Sequence, residues 1–195
     1  GVSVDFSEEY ESSEQVFDQV LVAIGRRPNS ARIGLEKTGV TLDENGFVIV
    51  DDRMRTDDER ILAVGDVTGG PMLAHKAGRQ GKVAAEVIAG MPAAFDARAI
   101  PAVIYTNPRI AWCGLTETRA QQEKRAVRIQ RFAWKHSNRA VSMAAPEGLT
   151  KIIADASSGR ILGMGITGRH SEELIAEGVL AIEMGALVDD LALSI

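Results

Sequence analysis

The chain has 195 residues, enough for one large or two small folded units. At 45% hydrophobic and 25% charged residues, its composition is that of a packed protein rather than a disordered one. A net charge of −5 argues against a nucleic-acid surface, and no apolar run approaches the roughly 20 residues of a membrane span. Neither nucleic acid nor membrane is therefore an expected partner.

The first twenty residues are acidic (Glu8, Glu9, Glu11, Glu14) and lack the basic and apolar regions of a signal peptide. The single cysteine, Cys113, allows no internal disulfide and no Cys-x-x-Cys metal or redox motif. A reducing compartment, the cytoplasm or the mitochondrial matrix of a eukaryote, fits that usage.

In chain order, alternating Val2, Val4 and Phe6 suggest a short strand or hairpin edge. Val20-Leu21-Val22-Ala23-Ile24 reads as a buried strand closed by Gly25-Arg26-Arg27-Pro28-Asn29. The expectation is a chain that begins inside a sheet whose earlier strands are missing. Asn45-Gly46 between apolar runs signals a hairpin turn leading into a strand at Phe47–Val50. Another apolar run, Ile61-Leu62-Ala63-Val64, ends in Gly65-Asp66 and predicts a buried strand that delivers a carboxylate to its C-terminal end. A helical run follows from Met72 to about Ala89, with Pro71 in its first turn. Ala74, Ala77, Gly81, Ala84, Ala85 and Ile88 form a small-residue face suited to packing on a sheet. Gly90-Met91-Pro92 stops the helix, and Ala93 to Ile100, without periodicity, reads as a linker.

Beyond Pro101 the pattern changes. Strands are predicted at Ala102–Tyr105, Ile110–Cys113, Val127–Trp134, Thr150–Asp155 and Ile161–Thr167, with turns at Asn107-Pro108 and Ser157-Ser158-Gly159. Thr116 is placed to cap a polar helix to about Arg125, and a last long helix runs from about Ser171 to Met184. Ile175, Val179, Ile182 and Ala186 lie on one apolar face, and Asp189–Leu193 starts another helix. Successive strands with helices on one side read as α+β.

Open α/β sheets bind nucleotides at the C-terminal ends of their strands, with the next helix's N-terminus aimed at the ligand's negative pole. Asp66 could accept a hydrogen bond from a sugar or ribitol hydroxyl, and Gly65 would let backbone approach the ligand. The backbone N–H groups of Met72–Ala77 could stabilise a phosphate, a carboxylate or a reduced flavin pyrimidine. Blander readings stand beside these. A Gly-Asp pair is usually a turn, His75 and Lys76 could add charge there or equally be solvated helix residues, and Gly25-x-x-Pro28 reads as a strand-to-loop exit.

Taken together the segments resemble the pyridine nucleotide–disulfide oxidoreductases. Ala23–Asn29 is similar to the stretch that closes that family's NAD domain and returns to the FAD domain, and Thr56–Asp66 to its second FAD motif. Met72-Leu73-Ala74-His75-Lys76-Ala77 looks like the dihydrolipoamide dehydrogenase branch. Ile100–Pro108, Gly114–Glu117, Asn138–Ala140, Lys151-Ile152, Ile161–Gly163 and Glu172–Glu177 are similar to the dimerisation domain.

The resemblance implies an α+β chain in two parts. Residues 1–98 would hold the end of the NAD domain and the C-terminal part of an FAD-binding α/β domain. Residues 99–195 would form a dimerisation (interface) domain with an antiparallel sheet and packed helices, ending before the catalytic histidine motif. It implies FAD and NAD as cofactors, with Asp66 on the flavin ribitol, Met72, Leu73, Ala74 and His75 lining the isoalloxazine mostly by backbone, Gly65 close to the ligand and Gly25 near the nicotinamide nucleotide. It implies a homodimer serving a lipoyl-bearing acyltransferase or carrier. No residue of this chain is expected to be catalytic and none to bind metal: the family's dinucleotide glycine loops and redox cysteines would lie upstream and its His-Pro-Thr-type base downstream. Cys113, His136 and His170 match none of these, so the chain alone is expected to be inert. The alternatives are a non-catalytic dimerisation module with a vestigial flavin half-site, or a relative of the glutathione or mercuric reductases or transhydrogenases.

Overall fold

A computed structural model describes residues 1–6 and 14–194. The acidic residues Glu8, Glu9 and Glu11 and the terminal Ile195 lie outside the described residues. Strand β1 (Val2–Asp5) pairs antiparallel with β2 (Glu14–Phe17), and Phe6 meets Phe17 edge-on at 6.4 Å. The alternation at Val2, Val4 and Phe6 is thus a two-stranded hairpin.

The following eighty residues differ from the sequence expectation. Val20–Ile24 forms no strand and pairs with none among the described residues, and Leu21 and Ile24 are 91% and 94% exposed. Phe47–Val50 and Ile61–Val64 contribute only single bridges, Leu42 to Val48 and Arg55 to Leu62. A parallel strand takes its hydrogen bonds from neighbours reached by long crossovers, and the described residues supply no such neighbours. The turn itself forms as expected: Asp43 accepts at its side chain from the N–H groups of Asn45 and Phe47, and Gly46 N–H closes onto Asp43 O at 3.0 Å.

Helix α1 (Ala74–Ile88) begins three residues after Pro71. Its buried face carries Lys76, Gln80, Val83 and Ala84, whereas Ala74, Ala85 and Ile88 are exposed. The covered stripe is therefore rotated from the expected small-residue face. Val83 and Ala84 pack with Met54, Val50, Leu62, Val87, Ala93 and Phe95 into one small core. The stretch expected to be a linker is tied down: Phe95 N–H bonds Asp52 O at 2.7 Å, and the Glu183 carboxylate accepts from the N–H groups of Arg98 and Ala99 at 2.8 and 3.0 Å.

From Ala102 onward the structure follows the sequence closely. Strands β3 (Ala102–Ile104), β4 (Ile110–Gly114), β5 (Val127–Ala133), β6 (Leu149–Asp155) and β7 (Ile161–Thr167) form one antiparallel sheet in the order β3-β4-β7-β6-β5. Helix α2 (Glu117–Gln122) is capped by Thr116, whose side chain accepts from Arg119 N–H. Two short helices, α3 (Asn138–Ser142) and α5 (Val188–Ala192), flank the long α4 (Ser171–Met184). The main core lies between α4 and β4/β7 and includes Ala111, Cys113, Ile161, Met164, Ile166, Ile175 and Ile182. Gly178 lets the helix approach: a Cβ there would stand 2.8 Å from Met164 Sδ and 3.3 Å from Cys113 Sγ.

Candidate flavin half-site

The carboxylate flagged in the sequence sits on a tight turn between two backbone geometries. Val64 is extended, Gly65 turns into the left-handed region at φ 83°, and Gly65–Thr68 makes one 3-10 turn. Gly65 is buried, and an added Cβ would lie 3.1 Å from the Ala77 Cβ. That contact is the close approach of turn to helix that the Gly-Asp pair permits. Thr68 Oγ1 donates to Gly65 O at 2.9 Å, and Val48 N–H to Val67 O at 2.8 Å.

Asp66 points outward and is half-exposed. Its carboxylate takes a 2.8 Å ion pair from Arg26, whose second terminal nitrogen donates to Met72 O. Arg26 thereby joins the Gly25–Asn29 segment to the Asp66 turn and to the residues leading into α1. Leu73, in the N-cap position, offers no side-chain cap, and the first turn of α1 holds no acidic residue. The leading N–H groups of the helix therefore lack the usual side-chain acceptor, and they add the positive end of the helix dipole. Acceptor carboxylate and open helix terminus lie on either side of the same turn.

The remaining expected site residues are placed as follows. Met72 and Leu73 are half-buried before the helix, while Ala74 and His75 are exposed in its first turn. The His75 ring nitrogen Nε2 lies 2.7 Å from Pro101 O, which ties the helix start to the beginning of the sheet region. Gly25 is exposed, with nothing within 4 Å of a would-be Cβ, so its neighbour Arg26 makes the contacts.

Two buried polar residues stand beside the turn: Lys76, which the sequence leaves open between added charge and a solvated helix residue and which is not solvated, and Gln80, which the sequence does not single out. Lys76 is 4% and Gln80 5% exposed. Gln80 Oε1 accepts from Gly65 N–H at 2.8 Å, its Nε2 lies 3.4 Å from Thr68 Oγ1, and Lys76 Nζ donates to Gly69 O. Burial pushes the Lys76 pKa down, while the nearby Asp66 carboxylate pulls it back up.

Other chemistry-bearing side chains stand apart from this turn. Burial pushes the Cys113 thiol up to about 11, as expected of a core residue. His170 lies 3.2 Å from Glu173 on the rim of α4. Gly163, Gly165 and Gly168 have dinucleotide-loop spacing, yet the first two sit inside antiparallel β7, which cannot present a strand-to-helix phosphate loop.

The donor set fits part of a flavin site. A half-exposed carboxylate suits a ribityl hydroxyl, and open N–H groups suit an electron-rich carbonyl. The described residues around Gly25 offer no comparable set for NAD.

Two stretches of the chain match known protein families. Residues 3–81 match the profile of the pyridine nucleotide-disulphide oxidoreductases, and residues 100–195 match the dimerisation domain of the same group. A dihydrolipoyl dehydrogenase of Haemophilus influenzae is 48% identical over 92% of this chain, and one of Thermus scotoductus 47% over 93%. The chain spans 37% and 39% of their respective lengths. Among solved structures, the HOCl-induced flavoprotein disulfide reductase RclA of Escherichia coli superposes with a TM-score of 0.85 at 26% identity, over 99% of this chain and 44% of that one. LpdA of Mycobacterium tuberculosis superposes at 0.83 with 28% identity, over 95% of this chain and 40% of that one. The chain belongs to the pyridine nucleotide–disulphide oxidoreductase family, joining a redox-domain part to a dimerisation domain.

Proposed function

We propose that this chain carries the C-terminal part of the FAD site and the dimer interface of a dihydrolipoyl dehydrogenase. The observation that supports it most is the Asp66 carboxylate beside the uncapped start of α1, within a segment shared with dihydrolipoyl dehydrogenases. The reading divides the chain near residue 98, and the separate cores that include Phe95 and Ala99 support that division.

The parent reaction would be dihydrolipoamide plus NAD⁺ giving lipoamide, NADH and a proton. FAD, when bound, supplies a two-electron carrier between dithiol and nicotinamide. Within this chain Asp66 would accept the hydrogen bond of a ribityl hydroxyl in place of its Arg26 partner. Backbone at Met72–His75 would hold the ring system, where the positive end of α1 would favour negative charge. Gly65 keeps the turn close to the helix, and Gly25, beside Arg26, would lie near the nicotinamide nucleotide. Residues 99–195 pair with a second copy through exposed apolar residues of α4 such as Leu180 and Met184, and a lipoyl-bearing acyltransferase or carrier brings the substrate to a cytoplasmic or matrix enzyme. The chain alone is inert, because one buried cysteine cannot cycle between dithiol and disulfide.

The test is a chimera in which residues 1–195 replace the matching segment of the Haemophilus influenzae relative, assayed beside the isolated chain. The reading expects NAD-dependent dihydrolipoamide oxidation from the chimera and none from the chain. Turnover by the isolated chain, or a folded chimera that reduces only glutathione disulfide or mercuric ion, overturns it. A second reading, a dimerisation module with a vestigial half-site, draws on the Arg26 guanidinium that already holds Asp66. A colourless but dimeric chimera would favour that reading.

A further inference from the structure

The buried face of α1 contains two residues that packing alone does not call for. Among Val83, Ala84 and Val87, a helix facing a small apolar core would ordinarily place further apolar side chains, since burying an ammonium or an amide costs free energy unless each is hydrogen-bonded. Lys76 and Gln80 stand four residues apart on one ridge of the helix, so both reach the same neighbouring element. That element is the turn Gly65–Gly70, in which Gly65, Gly69 and Gly70 all have positive φ. Glycines lose more chain entropy on ordering than other residues, and the turn's own bonds, Thr68 Oγ1 to Gly65 O and Gly69 N–H to Asp66 O, leave Gly65 N–H and Gly69 O to be held from outside.

We propose that Lys76 and Gln80 are positioning residues that pin the two ends of this turn and thereby fix the Asp66 carboxylate between them. Gln80 holds the leading end by accepting from Gly65 N–H, and Lys76 holds the trailing end by donating to Gly69 O. On the outer side the only further side-chain hold on Asp66 among the described residues is the exposed Arg26 pair. A flavin hydroxyl competing for Asp66 would displace that exposed guanidinium, whereas the buried pins would remain. The assignment deepens the flavin reading of Asp66 and gives two buried polar residues a role in that site.

The test uses the full chain, isotopically labelled and free of flavin, so a failure of the flavin reading leaves its result intact. Gln80→Leu and Lys76→Met are expected to speed amide exchange at Gly65 and through Asp66–Gly70 by about tenfold or more, as loss of a buried hydrogen bond implies. Amides of α4 and β7 stay protected. The Asp66 Cγ chemical shift moves in both variants, while Gln80→Glu, which keeps the acceptor for Gly65 N–H, restores both readouts. Unchanged exchange and an unchanged Asp66 shift in both apolar variants overturn the proposal. If those variants unfold, the wild-type chain still decides the matter. A scalar coupling across the Gly65 N–H to Gln80 side-chain carbonyl bond supports the pin, and its absence in a folded spectrum overturns it.

Discussion

Replacing Gly65 by alanine tests the turn that presents Asp66 through two costs and one offset. The residue sits at φ 83°, where an L side chain costs about 1–2 kcal/mol. The new methyl would lie 3.1 Å from the Ala77 Cβ, inside the usual 3.5–4.0 Å carbon separation, which adds an overpacking cost of about 1 kcal/mol. Against these, alanine restricts the unfolded chain and returns roughly 0.4–1 kcal/mol. The net expectation is a loss of about 1–3 kcal/mol, or about 2–12 °C in Tm for a chain of this size. Gly78→Ala is the matched control, because that residue is exposed within α1 with no atom within 4 Å of a Cβ. It is expected to gain about 0.5–1 kcal/mol from helix propensity. Urea and thermal unfolding followed by circular dichroism read both variants. A Gly65→Ala protein as stable as Gly78→Ala would refute the geometry assigned to the turn.

Cys113, with its thiol held up at about 11 by burial, is expected to resist a disulfide exchange reagent at pH 8 and to react fully once the chain is unfolded in guanidinium; fast labelling of folded protein would contradict its place in the core. Asp58 is held at about 2, below its ordinary 3.8, by the Arg60 side chain and by the backbone N–H groups of Arg60 and Gly39. A depressed folded-state pKa contributes stability that is present above the unfolded value and lost as pH falls toward 2. Asp58→Asn should therefore flatten the fall in stability between about pH 4 and 2, measured by urea unfolding at each pH, and an unaltered slope would count against the pair. Leu180→Glu with Met184→Lys, at exposed positions on α4, should convert a dimer to monomer in light scattering without changing the far-ultraviolet spectrum. A variant that remains dimeric would move the interface elsewhere.

Legibility in the sequence divides along the chain for a physical reason. β3, β4, β6, β7 and α4 were readable because the hairpin pairs β3–β4 and β6–β7 lie close in sequence and the helices carry their own cap or apolar stripe, as at Thr116 and at Ile175 and Ile182. Val20–Ile24 and Ile61–Val64 have the composition of buried strands, but composition does not supply the partners that a parallel ladder requires. The Asp66 turn and the helix after it were legible as a pair, because Gly-Asp after an apolar run carries its own turn chemistry. Gln80 was not, and Lys76 was left between added charge and a solvated face, because long polar side chains read as outward-facing until a turn with unpaired backbone groups is placed beneath them.

The central claim is that Asp66 and the start of α1 hold part of a flavin, and the chimera with the Haemophilus influenzae relative measures it most directly through bound FAD. The account predicts a yellow, stoichiometric flavoprotein whose FAD affinity falls about 10–100-fold in Asp66→Ala, the loss expected for a hydrogen bond to a charged group. A folded chimera without flavin absorbance, or an Asp66→Ala chimera that binds FAD as tightly as the parent, would contradict it.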